Sequence, residues 1–380
     1  MKKEDKTFRV SLVVALVVAV IMGFVSGVVG ELWVNDFLAP DLEFKSYHDL
    51  TKRIDELLGE KNSSIKDLLT GHDAAFNQTI EEIEPITATF YLYQKAGVGL
   101  NDQYLANEVL GSGFVLTSDG WIVTTTNVVT NPKRDYVVEV GGDIYQVTDI
   151  VADSMTPAVL VKIAANNLSV ANLGSKNSVH NSQSVIVASK ISGMERANIN
   201  KVVYMRAESS SDLVHSSETY YRFIKLGDSF SAEYVGAPVV NLDGKVVAVL
   251  LNRDGEALPI DYLARVMKTA VQSGNIDRNL LGVNYIDLIQ AVNFEANVDA
   301  GALLFDSNGR AAVIHGTPAY LAGLRAGDVI MKVDGDEINE RQSLTELIQE
   351  YNVGSKVQLT IIRGEEELKI DVQLDKLISN

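Results

Sequence analysis

At 380 residues with 46% hydrophobic side chains, the chain is long enough for two compact domains plus appendages and too apolar to be generally disordered. A formal charge of −17 opposes phosphate backbones and anionic headgroups, and no basic patch large enough to override it is present, which excludes nucleic acid as a partner. The absence of cysteine excludes a disulfide framework, a thiol nucleophile and a cysteine metal site.

The first element is the uncharged run Val10 to Gly30, as long as the ~20 residues that a bilayer-spanning helix needs. Lys2, Lys3, Lys6 and Arg9 precede it, and Glu31, Asp36, Asp41 and Glu43 follow it. The positive-inside rule then places residues 1–9 in the cytoplasm, a transmembrane helix at 10–30 and the rest of the chain outside. A cleaved secretory signal fits less well, because it needs a shorter apolar core and a small-x-small cleavage site, and no Ala-x-Ala occurs here. Residues 31–82 read as a helical stalk, with Leu50, Ile54, Leu57 and Leu58 spaced for one helix face. It is a solvated spacer or an oligomerising helix, with few heptads for a coiled coil.

From 83 to 270 the texture changes to short β-branched runs separated by turn residues, such as ITATFYLY, GSGFVLTSDGWIVTTT, AVLVKIA and APVVNLDGKVVAVLLN. Many short strands at regular spacing predict an all-β barrel or sandwich. Ile260 to Asn279 reads as a helix and a linker. From 277 to 380, strands flank one amphipathic helix, Ser343 to Tyr351, which predicts a small mixed α/β unit.

Three strings in the β region carry a family resemblance. Gly111 to Val129 (GSGFVLTSDGWIVTTTNVV), Ala152 to Ile163 (ADSMTPAVLVKI) and Phe230 to Val249 (FSAEYVGAPVVNLDGKVVAV) resemble the segments around the catalytic residues of HtrA/DegP-type trypsin-like serine proteases. Ala257 to Met267 is similar to the segment that closes the second barrel in that family. The resemblance implies a mainly β protein: a trypsin-like double β-barrel followed by a small α/β PDZ domain, here with an N-terminal transmembrane helix. The apolar run and the charges flanking it place the chain at the bacterial cell membrane with both domains extracytoplasmic.

The same register puts the family's histidine base on Asn127, its aspartate on Pro157 and its serine on Val235. An Asn amide does not titrate, proline offers neither carboxylate nor N–H, and valine has no nucleophilic atom. Glu233, Tyr234, Gly236 and Ala237 occupy the oxyanion loop, with Glu233 and Ala237 standing where the family has glycines. The expectation is a pseudoprotease that is not an enzyme; an active serine endopeptidase with a non-standard catalytic set is the alternative. Of the histidines, His48 and His72 fall in the stalk, His315 in the PDZ-like unit, and His180 and His215 in the β region outside the three strings. His215 follows the serine run Ser209 to Ser211, a combination that is usually a solvated loop rather than a Ser/His dyad. Asp153 reads as a loop carboxylate rather than a replacement triad acid. No metal spacing or phosphate loop is present, and no cofactor is expected.

Gly316 to Ile338 (GTPAYLAGLRAGDVIMKVDGDEI) resembles the most specific string of the family's PDZ domain. The resemblance assigns the carboxylate-binding loop to Leu280, Leu281, Gly282 and Val283, which would hold a peptide's C-terminal carboxylate while the peptide adds as a strand. Leu344, Leu347 and Ile348 would line the opposite wall of the groove or pack the core. The expected role is capture of peptide segments or protein C-termini, as a scaffold or adaptor in envelope protein quality control. The alternative is a regulatory subunit, since the resemblance implies trimers, homomeric or mixed with an active homologue.

Overall fold

The computed structural model describes residues 52, 72–95, 103–205, 207–291, 298–307 and 309–378. The expected cytoplasmic residues 1–9, the span at 10–30 and most of the stalk lie outside the described residues. No helix among the described residues is long and apolar enough to cross a membrane. Of the stalk, helix α1 (His72–Ile83) is described, and Ile83 at its end is buried in the core between the barrels.

Six strands close the first barrel: β1 (Thr87–Leu92), β2 (Gly111–Val115), β3 (Trp121–Thr125), β4 (Tyr136–Val140), β5 (Asp143–Ala152) and β6 (Ala158–Ile163), in the order β1-β2-β3-β6-β5-β4. β-Branched and aromatic residues suit these strands because both sides of a closed sheet must be covered. Phe90, Val115, Ile122, Val138, Val161 and Ile163 fill the interior. Trp121, Val123 and Leu160 face the second barrel. The β2–β3 turn is closed by Thr117, whose Oγ1 accepts the Trp121 N–H at 3.0 Å, and by Lys162, which reaches Asp119 at 2.6 Å.

The second barrel contains β7 (Asn172–Leu173), β8 (Ser184–Ser189), β9 (Gly193–Tyr204), β11 (Phe223–Leu226), β12 (Pro238–Asn241), β13 (Lys245–Leu250) and β14 (Glu256–Pro259), in the order β12-β8-β9-β11-β14-β13-β7. Pairing of β12 with β13 closes it. Helix α2 (Asp261–Ser273) buries Leu263, Val266, Met267 and Ala270 in the core between the barrels. The helix-then-linker reading of 260–279 thus corresponds to α2 followed by a short linker that buries Arg278.

The C-terminal unit has β15 (Asn279–Leu280), β16 (Asn284–Asp287), β17 (Ala302–Leu304), α3 (Pro318–Leu321), β18 (Val329–Val333), β19 (Asp336–Glu337), α4 (Leu344–Gln349), β20 (Lys356–Arg363), β21 (Glu366–Gln373) and β22 (Asp375–Lys376). Its sheet runs β10 (Val214–Ser216), β16, β17, β18, β20, β21, with β19 on β18. The first strand, β10, comes from inside the stretch expected to belong wholly to the barrels. The expected helix 343–351 is shorter, at Leu344–Gln349, with Ser343 capping it by accepting the Glu346 N–H at 3.3 Å. All six of its residues are buried. Its apolar face meets the PDZ-like core and its polar face meets the barrels, so the solvated side that its amphipathic pattern suggests is absent.

Three buried ion pairs join the barrels to the C-terminal unit and its linker. Arg222 pairs with Asp287, Lys176 with Glu346 and Arg278 with Asp153, every side chain 7% exposed or less. Tyr262 reinforces the junction, its hydroxyl lying 2.7 Å from Glu346 Oε1 and 2.9 Å from the Arg222 carbonyl.

Candidate functional site

Of the three positions that the resemblance assigns to catalysis, Asn127 and Val235 line one cleft and Pro157 lies beside Thr126, next to Asn127. Val128 packs in the first barrel and sets Asn127 at the rim, where it is exposed and donates from Nδ2 to the Leu251 carbonyl at 2.8 Å. Pro157 sits beside it through its carbonyl, which accepts the Thr126 N–H at 2.8 Å. Val235 is buried and packs in the first-barrel core, and its carbonyl accepts the Ser112 N–H at 2.7 Å. A cleft of about 630 Å³ opens here, lined by Leu110, Asn127, Phe230, Val235, Leu251 and Arg253 among others.

The loop that follows has its amides engaged. Ala232–Tyr234 forms a 3-10 turn, and the Val235, Gly236 and Ala237 N–H groups donate to Ala232, Leu250 and Tyr234 carbonyls at 3.1, 2.8 and 2.9 Å. The Glu233 carboxyl is held below its usual range by hydrogen bonds from the Ser231 side chain and its own backbone N–H. Tyr234 is buried with its hydroxyl donating to the Ser192 carbonyl at 2.9 Å, and burial with the nearby Glu195 pushes its phenol up to about 12. Gly236 has a φ of +85, and a Cβ there would lie 2.2 Å from the Ser112 carbonyl oxygen, so only glycine fits.

Asp153 does lie in a loop, between β5 and β6, but it is buried there as the partner of Arg278, 2.9 Å from its Nε, and accepts Thr156 Oγ1 at 2.5 Å. It lies in the core because Arg278, the last linker residue, is itself buried and needs a counter-charge. His215 is not in a solvated serine loop: it is buried in β10 and stacked on Tyr221 at 3.6 Å between centroids, while Ser209 and Ser211 bond each other at 2.8 Å. Burial lowers its pKa to about 4, against the opposing pull of Asp287.

In the C-terminal unit, the loop before β16 is the second candidate site. Leu281 and Gly282 donate their N–H groups to Oε1 of Glu218 at 3.1 and 3.0 Å, and the Val283 N–H donates to Ser217 Oγ at 3.0 Å. Gly282 is at φ +86, where a Cβ would lie 2.3 Å from Thr317, which keeps this turn open to glycine alone. Leu280 is not part of this loop; it pairs with Asp375 in the β15–β22 ladder. Leu344, Leu347 and Ile348 are 0–1% exposed and belong to the PDZ-like core rather than to an accessible wall. Thr345 is the helix residue that reaches the neighbouring strand, its Oγ1 3.4 Å from the Ser216 carbonyl. Glu218, Ser217 and Thr345 escaped the sequence reading, because none stands in a recognisable motif and Glu218 lies 64 residues from the amide it meets. Among the described residues, no group of three or more His, Asp or Glu side chains is placed to hold a metal ion.

Comparison with known proteins agrees with this architecture. Residues 111–249 match the profile of the trypsin-like peptidase domain and residues 290–374 that of the PDZ domain. A probable periplasmic serine endoprotease, DegP-like, from Hahella chejuensis is 29% identical over 282 residues, covering 70% of this chain and 57% of that protein. A protein of the same description from Pseudomonas savastanoi is 29% identical over 296 residues, covering 74% and 59%. The chain therefore spans somewhat more than half the length of these curated relatives. The HtrA-type protease AlgW solved with a tripeptide shares the fold at a TM-score of 0.59 and 18% identity, covering 80% of this chain and 98% of its own. AlgW with a decapeptide does so at 0.56 and 17%, covering 80% and 99%.

The fold and the matched profiles define a trypsin-like peptidase domain followed by a PDZ domain. In this domain order and in sequence the chain is similar to proteins of the HtrA/DegP type. The expectation that it is not an enzyme is corrected here: the relatives that match it over 70% or more of its length are named serine endoproteases.

Proposed function

We propose that this chain is an extracytoplasmic peptide-binding protein, held at the bacterial cell membrane by residues 10–30. Its PDZ domain captures peptide segments or protein C-termini, as a scaffold or adaptor in envelope protein quality control. The observation that carries the reading is the convergence of the Leu281 and Gly282 N–H groups on one carboxylate oxygen, at 3.1 and 3.0 Å. A loop that already holds a carboxylate has the geometry to hold a peptide's terminal one, and β16, paired on that side with β10, would supply the backbone pairing of an added strand once β10 leaves. The word periplasmic in the relatives' names supports the compartment.

The test is fluorescence anisotropy of the full chain with a panel of synthetic peptides, each with a free or an amidated C-terminus, titrated to millimolar concentration. Carboxylate-dependent binding, at least ~10-fold tighter for the free acid, is the expected result. Equal or absent binding across the panel sinks the capture reading.

The relatives' names favour a second reading, serine endopeptidase activity. Because Asn127, Pro157 and Val235 offer no base, carboxylate or nucleophile, that activity needs a different set of residues. Casein turnover together with fluorophosphonate labelling that is lost on mutating one serine would establish it.

A further inference from the structure

The strand β10 leaves the second barrel between β9 and β11 and pairs antiparallel with β16, with Val214 opposite Ile286, His215 opposite Tyr285 and Ser216 opposite Asn284. This is the edge on which a captured peptide would add. The next residue continues the ladder, since the Ser217 N–H donates to the Val283 carbonyl at 2.9 Å. Immediately after it, the Glu218 carboxylate accepts the Leu281 and Gly282 N–H groups. The run 214–218 therefore supplies everything that a bound C-terminal peptide would: a short strand, a final backbone N–H on Val283, and a carboxylate on the loop amides.

We propose that residues 214–218 are a tethered occupant of the PDZ groove, with the Glu218 side chain standing in for a peptide's terminal carboxylate. A polypeptide C-terminus enters by exchange, taking the Leu281 and Gly282 amides as Glu218 leaves. The inference rests on the peptide-capture reading above and states how that site is regulated.

Two features make the occupant displaceable. β10 is three residues long and is preceded by the exposed turn Ser209–Asp212, so what holds it is a short backbone ladder together with the buried His215 ring. Glu218 is half-exposed, with its carboxylate also held by the Ser216 and Ser217 hydroxyls at 2.9 and 2.6 Å, so an incoming carboxylate can reach the loop as it departs. The tether makes the occupant effective: attachment in the same chain gives an effective concentration on the order of millimolar, against which free peptide competes. Apparent affinity falls by the fraction of molecules with the groove open, so a groove closed 90–99% of the time would weaken binding ~10- to 100-fold.

The probe is a fluorescein-labelled heptapeptide, SDLVHSS, which copies residues 211–217 and ends in a free carboxylate placed where that of Glu218 lies; its amide is the control. Full-length Glu218→Ala should bind the acid at least ~10-fold more tightly than the unmodified chain, with no gain for the amide. Equal affinity for the two chains overturns the cis occupant and leaves peptide capture standing. Binding to neither at millimolar probe overturns both. Because the native chain has no cysteine, a Val214→Cys and Ile286→Cys pair gives a second test without touching Glu218. Oxidation should cross-link the pair and exclude the probe, and reduction should restore binding. Failure to cross-link, or binding unchanged by oxidation, overturns the proposal.

Discussion

Gly282 and His215 each carry a constraint that a single substitution exposes. At Gly282 an added Cβ meets Thr317 at 2.3 Å on a backbone at φ +86, so Gly282→Ala is strained twice. A cost of about 1–3 kcal/mol is expected, together with loss of carboxylate-dependent peptide binding, because the strained loop can no longer aim its amides. Urea unfolding and anisotropy on the same preparation separate the two effects. His215 is packed between Tyr221 and Tyr285, near Asp287, Arg222 and Asp212, and its pKa falls from 6.5 to about 4, chiefly through burial. The unfolded chain then takes up a proton that the folded chain refuses, so stability is complete above pH 6.5 and declines as pH falls toward 4. The drop from 6.5 to about 4 corresponds to roughly 3 kcal/mol. His215→Phe, which keeps an aromatic ring in the stack, should flatten that part of the stability profile; an unchanged slope would assign it to the carboxylates.

At the scale of elements, β16 does two jobs: its edge carries β10, and its last residue, Asp287, accepts both the Arg222 guanidinium and the Tyr221 hydroxyl. Arg222 and Asp287 side chains are each 1% exposed, so removing one leaves the other buried without its counter-charge. Asp287→Ala is expected to cost about 3–5 kcal/mol, whereas Arg222→Met with Asp287→Leu should restore most of it. A denaturation double-mutant cycle measures the difference. The barrels and the PDZ sheet were legible because their strands announce themselves locally, in β-branched runs and in strings such as GSGFVLTSDG and GTPAYLAGLRAGD. The loop glycine Gly282 came from the family resemblance, and its φ of +86 is why glycine stands there. β10 was not legible: three residues, Val-His-Ser, have no period to read, and their partner lies about seventy residues later. The buried Arg222, Arg278 and Lys176 were equally hidden, since a sequence shows charge but not the distant carboxylate that allows its burial. Helix α4 misled in the opposite sense, because its polar face looks solvated until Lys176, Tyr262 and Asn279 are seen against it.

In the whole molecule, these contacts decide whether barrels and PDZ domain behave as one body. Domains joined within a chain move relative to one another by default unless their interface is large and well packed. Here the described residues from 72 onward fall in one compact unit, α4 is buried on its polar side, and Lys176–Glu346 and Arg222–Asp287 cross the junction out of solvent. Opening the junction would leave four charges to be resolvated and would free β10 from its sheet. Calorimetry of the described domains should therefore give a single transition, with calorimetric and van't Hoff enthalpies equal. Glu346→Ala removes the partner of Lys176 and the acceptor of the Tyr262 hydroxyl while leaving each domain's apolar core intact. The junction then loses several kcal/mol, on the order expected for breaking a buried pair, and the cores no longer need to melt together. The variant should show two transitions, and its calorimetric enthalpy should exceed the van't Hoff value. Two transitions already present in the unmodified chain would mean that the junction is weaker than its buried charges suggest.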